Sequence, residues 1–161
     1  MAKGGKGLFG VASVLSSFFG AAMIAGAFAY FNYKFSEYKF IDFKEVVFYE
    51  KSAIFTPSEE KYIVIFYSSK NKQTTDLLAK TKLKLPILAI DYYNEVQQNT
   101  DGVTFLRSGT KTSLEFIQRF NIYNSPSIFF IKKNKDTIYK QDSMIRKLDN
   151  LKELSEIVNS L

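Results

Sequence analysis

From Leu8 to Phe31 the chain runs through 24 residues without one charged side chain, and a helix needs about 20 such residues to cross a hydrocarbon core. A retained transmembrane helix over 8–31 is therefore expected, preceded by a short terminus, 1–7. A cleavable signal peptide is the rival reading, since Ala27-Phe28-Ala29 resembles a small-x-small cleavage site; its apolar region, however, is only about 7–15 residues long. Lys3 and Lys6 put the N-terminus on the cytoplasmic side, although Lys34 and Lys39 beyond the span weaken the asymmetry. The expected location is a bacterial inner membrane, crossed once, with the C-terminal domain periplasmic.

Within the span, Ser13, Ser17, Ala21, Ala25 and Ala29 recur every fourth residue, with Gly26 beside them. Small side chains on one helix face let two backbones approach closely in lipid. The expected partner is an integral membrane protein or a second copy of the chain. Small residues are also common in anchors, so the stripe admits a chance origin.

The remaining length holds one domain of about 110–120 residues. Sixteen Phe and ten Tyr supply apolar area for its core, while the absence of His and Cys removes the commonest transition-metal ligands. No cofactor and no metal is expected. Residues 32–45 form an aromatic juxtamembrane segment: Tyr30, Phe31, Tyr33 and Phe35 read as a belt at the membrane–water interface, whereas Tyr38, Phe40 and Phe43 lie too far along for a belt and call for a surface-lying amphipathic segment or a partner to cover them. The domain itself is assigned to 46–161.

Within that domain the element types alternate in an α/β order. Val46 to Tyr49 and Ala53 to Thr56 are short β-prone runs, and Tyr62 to Tyr67 is apolar throughout, as a strand buried on both faces should be. Leu77, Leu78, Thr81 and Leu85 have helical spacing, closed by Pro86. Ile87 to Ile90 is a second buried strand. Thr112 and Glu115 form a capping box for a helix through Leu114, Ile117 and Phe120. Ile128 to Ile131 and Thr137 to Tyr139 make a hairpin, and Asn150 with Glu153 caps a last helix.

That order, with the string from Ser113 through Ser125-Pro126-Ser127 to Asp136, resembles the thioredoxin superfamily. The resemblance covers roughly residues 46–161. It implies a central mixed sheet flanked by helices, a cis bond at Ser125-Pro126, and a Cys-x-x-Cys where this chain has Ser68 to Thr75. Those cysteines are missing, and Asn71 and Thr74 are the best placed replacements. Dithiol exchange needs a thiolate and a resolving thiol, so the redox reaction is excluded. The stretch from Val96 to Lys111 is also longer than the family's usual connection.

Without cysteine the resemblance implies a binding groove at Asn71, Thr74, Ser125 and Pro126, where family members grip extended clients beside the proline. The expected function is a non-catalytic, membrane-anchored module, an accessory subunit or an assembly or stability chaperone of an inner-membrane complex. One alternative is a glutathione-dependent enzyme using the hydroxyl of Tyr67, Ser68 or Ser69; hydroxyls at a helix start are more often caps. The other is a purely structural part of a flagellar motor, secretion or respiratory machine. The net charge of +6 and the cluster Lys70, Lys72, Lys80, Lys82 and Lys84 read as a solvated face, with contact to an anionic lipid surface or an acidic partner surface as a second reading and no nucleic acid.

Overall fold

The structure, a computed structural model, describes residues 10–37, 39–81, 83–95, 97–148 and 156. The helix expected from Asn150, the terminus with Lys3 and Lys6, and Lys82 lie outside the described residues. The chain divides into two units after Glu37.

The first unit is one helix, α1 (Val11–Glu37). Its window Val11–Tyr33 is long and apolar enough to cross a membrane, with a mean hydropathy of 1.8 and none of it buried against protein. Ser13, Ser17, Ala21, Ala25, Gly26 and Ala29 are all exposed on this helix. The hydroxyls of Ser16 and Ser17 turn back to the Ser13 carbonyl.

The second unit begins with β1 (Phe40–Asp42), the short hairpin β2 (Tyr49–Glu50) and β3 (Ala53–Ile54), and the long strand β4 (Lys61–Tyr67). It continues through α2 (Lys72–Lys80), β5 (Ile87–Asp91), β6 (Val103–Arg107), α3 (Thr110–Phe120), β7 (Ser127–Lys135), β8 (Ile138–Gln141) and β9 (Arg146–Lys147). The strands form one mixed sheet in the order β1-β8-β7-β4-β5-β6-β2-β3, with β9 on β7. β4, β5 and β6 are parallel neighbours, whereas β7 runs antiparallel to both β4 and β8.

The unbroken apolar run of β4 is explained by cover on both faces. Tyr62, Val64 and Phe66 join Phe116 and Phe120 of α3 in one core, while Ile63, Ile65 and Tyr67 join Leu77 and Leu78 of α2 in the other. Successive strand residues point to opposite faces, so a strand between two helical layers must be apolar at every position. Phe116 is fully buried, with the rings of Phe48 and Phe120 centred 5.5 and 4.9 Å from its own.

Several boundaries differ from the sequence reading. The aromatic segment 32–45 is divided: α1 runs on through Glu37, and then β1 enters the sheet with Ile41 and Phe43 in the core. The second helix stops at Lys80, short of Leu85 and Pro86. Thr81 is extended there, and its hydroxyl and amide bond to the carbonyls of Leu77 and Leu78 and end the helix locally. The box of Thr112 and Glu115 does not cap α3, which starts at Thr110 after Gly109. Glu115 is instead engaged one turn on by Arg119, at 2.7 Å. The stretch 96–111, read as a long connection, contains the strand β6.

Candidate functional site

The site is built where β4 and β5 end and α2 begins. Asp91, buried at the end of β5, gathers three backbone amides: Ser69 and Tyr93 donate to Oδ1 at 2.9 and 3.1 Å, and Glu95 donates to Oδ2 at 2.7 Å. One carboxylate thus ties the loop after β4 to the turn after β5. The Tyr92 amide adds a bond to the Tyr67 carbonyl at 2.8 Å. Lys70 is held in the same corner, its Nζ 4.0 Å from the centre of the Tyr93 ring.

From this fixed loop Asn71 opens α2 as its N-cap. Its Oδ1 accepts from the Thr74 amide at 3.3 Å, and its carbonyl accepts from the Thr75 amide and hydroxyl. The side chain satisfies one of the donors a helix start leaves free. Thr74 is buried beneath the cap. Asn71, expected from the resemblance to stand in for a cysteine, therefore has a structural task of its own as the cap of α2.

The opposite wall comes from the turn after α3. Asn121 ends that helix in the left-handed region (φ 52°), and the Ser125-Pro126 bond is cis, as the resemblance implies. Ser127 then enters β7, paired on one side with Phe66 and on the other with Lys147. The Leu148 amide takes the Pro126 carbonyl at 2.9 Å. Ser125 is exposed, and among the described residues its own amide and carbonyl have no partner.

Asn71, Thr74, Ser125 and Pro126, the four groove residues named from the sequence, together line one cavity of about 230 Å³, with Gln73, Leu77, Lys147 and Leu148. Leu77, Pro126 and Leu148 supply an apolar part, and Asn71, Gln73, Ser125 and Lys147 a polar one. Lys147 and Leu148 escaped sequence reasoning, because β9 is two residues long and carries no pattern. Gln73 had no signal either, while Leu77 was read as helix core. The exposed stripe of α1 belongs to the other unit.

The hydroxyls considered for glutathione chemistry lie elsewhere. Tyr67 is fully buried among Leu77, Leu78 and Phe105, and neither its hydroxyl nor that of Ser69 has a hydrogen-bond partner among the described residues. Burial, reinforced by Asp91 and Glu95, pushes the Tyr67 phenol well above its ordinary range. That is the reverse of an activated hydroxyl.

A second, larger cavity of about 400 Å³ lies beside the start of α3, lined by Tyr49, Ser52, Asn94, Arg107, Ser108 and Gly109. Three of its lining residues are tied up in the domain's own bonds: Arg107 donates to the Lys51 carbonyl, Ser108 donates its amide to Asn94, and the Ser108 and Ser113 hydroxyls meet at 2.8 Å. These bonds hold the β2–β3 hairpin and α3 against the sheet. The smaller cavity keeps unengaged main-chain groups at its rim and is the better candidate site. The chain matches no protein-family model and no curated protein.

Proposed function

We propose that this chain is a membrane-anchored, cysteine-less thioredoxin-like domain that binds an extended protein segment and serves an inner-membrane complex as accessory subunit or assembly chaperone. The observation that carries the reading is the shared cavity: Asn71 and Thr74 at the start of one helix meet Ser125 and Pro126 at the start of β7. The thioredoxin-like assignment is supported by the strand order β8-β7-β4-β5, with a helix joining parallel β4 and β5 and a hairpin running antiparallel beside them.

The cavity's size also favours a side chain over a free cofactor. Small-molecule sites occupy about 300–1,000 Å³, more than the roughly 230 Å³ found here. Main-chain pairing with a client is confined to Ser125, because the Pro126 carbonyl and both edges of Ser127 are taken within the domain. The client contact is one strand-like step plus an inserted side chain. The lack of a thiol in the chain and the burial of the Tyr67 hydroxyl support a binding role over dithiol or Tyr67-dependent glutathione chemistry.

The anchor half of the proposal rests on the uncovered apolar length of α1, with the N-terminus cytoplasmic and the domain periplasmic. Purification of the full chain in mild detergent tests both halves. A stoichiometric membrane-protein partner is expected, along with no disulfide or glutathione-dependent activity. A lone monomer with measurable glutathione chemistry would overturn the reading.

A further inference from the structure

We infer that the sheet edge following the anchor, β1 with β8 and β7, docks on anionic headgroups of the bilayer through Lys132 and Lys140; this rests on the anchor reading above and leaves the groove aside. The observation is a row of side chains at one register. Phe40 of β1 pairs with Lys140 of β8, Lys140 with Lys132 of β7, and Lys132 with Lys61 of β4. Directly paired residues share a face of the sheet, with Cβ atoms about 4.5–5.5 Å apart. Three lysines therefore stand side by side on neighbouring strands.

Like charges directly opposite one another destabilise a sheet, so the row calls for negative charge. The domain supplies it at one end, where Lys61 meets Asp142 at 2.9 Å and lies over the Phe130 ring. At the other end the Lys140 ammonium is 5.5 Å from the centre of the Phe40 ring, which holds the cation without neutralising it. Lys140 and Lys132 are both exposed, and neither has an ion pair among the described residues. Asp42, further along β1, accepts from the Lys44 amide at 2.9 Å and the Thr137 hydroxyl at 2.7 Å.

The chain itself brings an anion source within reach. Tyr38 and Lys39 alone link the end of α1 at Glu37 to the start of β1 at Phe40, and a link of that length spans at most about 11 Å. The apolar window closes at Tyr33, and the remaining turn of helix rises about 6 Å, the thickness of a headgroup layer. In every pose, β1 therefore starts near the headgroups. Exposed Lys39 adds a cation there. A tethered anionic surface also outcompetes a free acidic protein through its effective concentration. Lys80 and Lys84, read from the sequence as lipid contacts, lie on and after α2, outside this row.

The full chain is placed in nanodiscs of phosphatidylcholine, alone or mixed with phosphatidylglycerol. Energy transfer to acceptor-labelled headgroups is read from a donor dye on Asn134→Cys, a unique thiol because the chain has no cysteine. Asn134 is exposed on β7, beyond Lys132. The ratio of docked to undocked chain is expected to rise about 25-fold with phosphatidylglycerol, about fivefold for each of the two lysines. Lys132→Glu with Lys140→Glu should remove that rise, as should about 1 M salt, where the screening length falls to about 3 Å. Lys80→Glu with Lys84→Glu should leave it in place. The urea midpoint of Lys132→Glu should not fall, because a carboxylate then stands between two lysines.

Equal transfer in the two lipids, or a rise that survives the Lys132, Lys140 double variant, would overturn the docking. A rise lost in the Lys80, Lys84 variant would move the contact to α2 and overturn this face. A lowered midpoint in Lys132→Glu would mean that the row is already balanced within the domain, which removes the premise. A chain that leaves the nanodisc would overturn the anchor itself.

Discussion

Two uncharged runs, α1 through Tyr33 and Tyr62 to Tyr67 of β4, have opposite surroundings. Every described residue of α1 through Tyr33 is exposed, whereas Tyr62 to Tyr67 of β4 are all buried, at 4% exposure or less. The difference lies in length and in what each run can pair with. Six consecutive apolar residues suit a strand between two helical layers, and 23 suit a bilayer.

The largest expected effect breaks the β4 side. Phe116→Ala removes the ring packed between Phe48 and Phe120 and should lower the domain's unfolding free energy by about 3–5 kcal/mol, measured by urea denaturation. Retention of the full chain in the membrane fraction should be unchanged. Met23→Lys tests the other run: a lysine at the centre of a spanning helix costs about 2.5–3.5 kcal/mol on insertion scales. It should reduce membrane retention and leave the domain's urea midpoint where it was. Loss of domain stability in this variant would mean that α1 is covered by protein.

Asp91→Asn comes next. It weakens the three-amide clasp under the groove and should cost about 1–3 kcal/mol, as expected for hydrogen bonds to a charged group. Faster amide exchange at Ser69, Tyr93 and Glu95 would locate the loss. Unchanged exchange there would show that the clasp does not hold the loop.

The smallest effect is Tyr139→Phe, which deletes the hydroxyl donated to the Glu59 carbonyl at 2.6 Å and should cost about 1 kcal/mol. Burial, with Tyr62, Glu60 and Glu59 nearby, pushes the Tyr139 phenol from 10.0 to about 12. The unfolded chain ionises first. The tyrosine's contribution is therefore intact below about pH 10 and lost as pH rises toward 12, and the phenylalanine variant should lack that part of the alkaline decline. Identical alkaline profiles would contradict the assignment.

Much of the fold was legible where a local pattern coincides with a buried one. The apolar runs of α1, β4 and β5 declare themselves by length, and Ser125-Pro126 by its place before β7. The two walls of the groove were legible only through the family resemblance, since nothing local links Asn71 to Pro126. β6 was missed because its partners, β5 and β2, come from distant parts of the chain. Lys147 and Leu148 join the cavity through pairing with Ser127 and Pro126, a tertiary event without periodicity. The Thr112–Glu115 box failed for a physical reason: the N-cap of α3 stands three residues earlier, at Gly109, which makes no side-chain cap, and Glu115 finds Arg119 instead.

The central claim is that a protein segment occupies the cavity between Asn71 and Pro126, and site-specific photocrosslinking in living cells tests it most directly. A benzophenone amino acid at Gln73, on the cavity wall, is compared with one at Lys84, outside the cavity lining. One discrete adduct from Gln73, found in the membrane fraction and absent from Lys84, is the predicted result. No adduct from Gln73, or the same adducts from both positions, would contradict it.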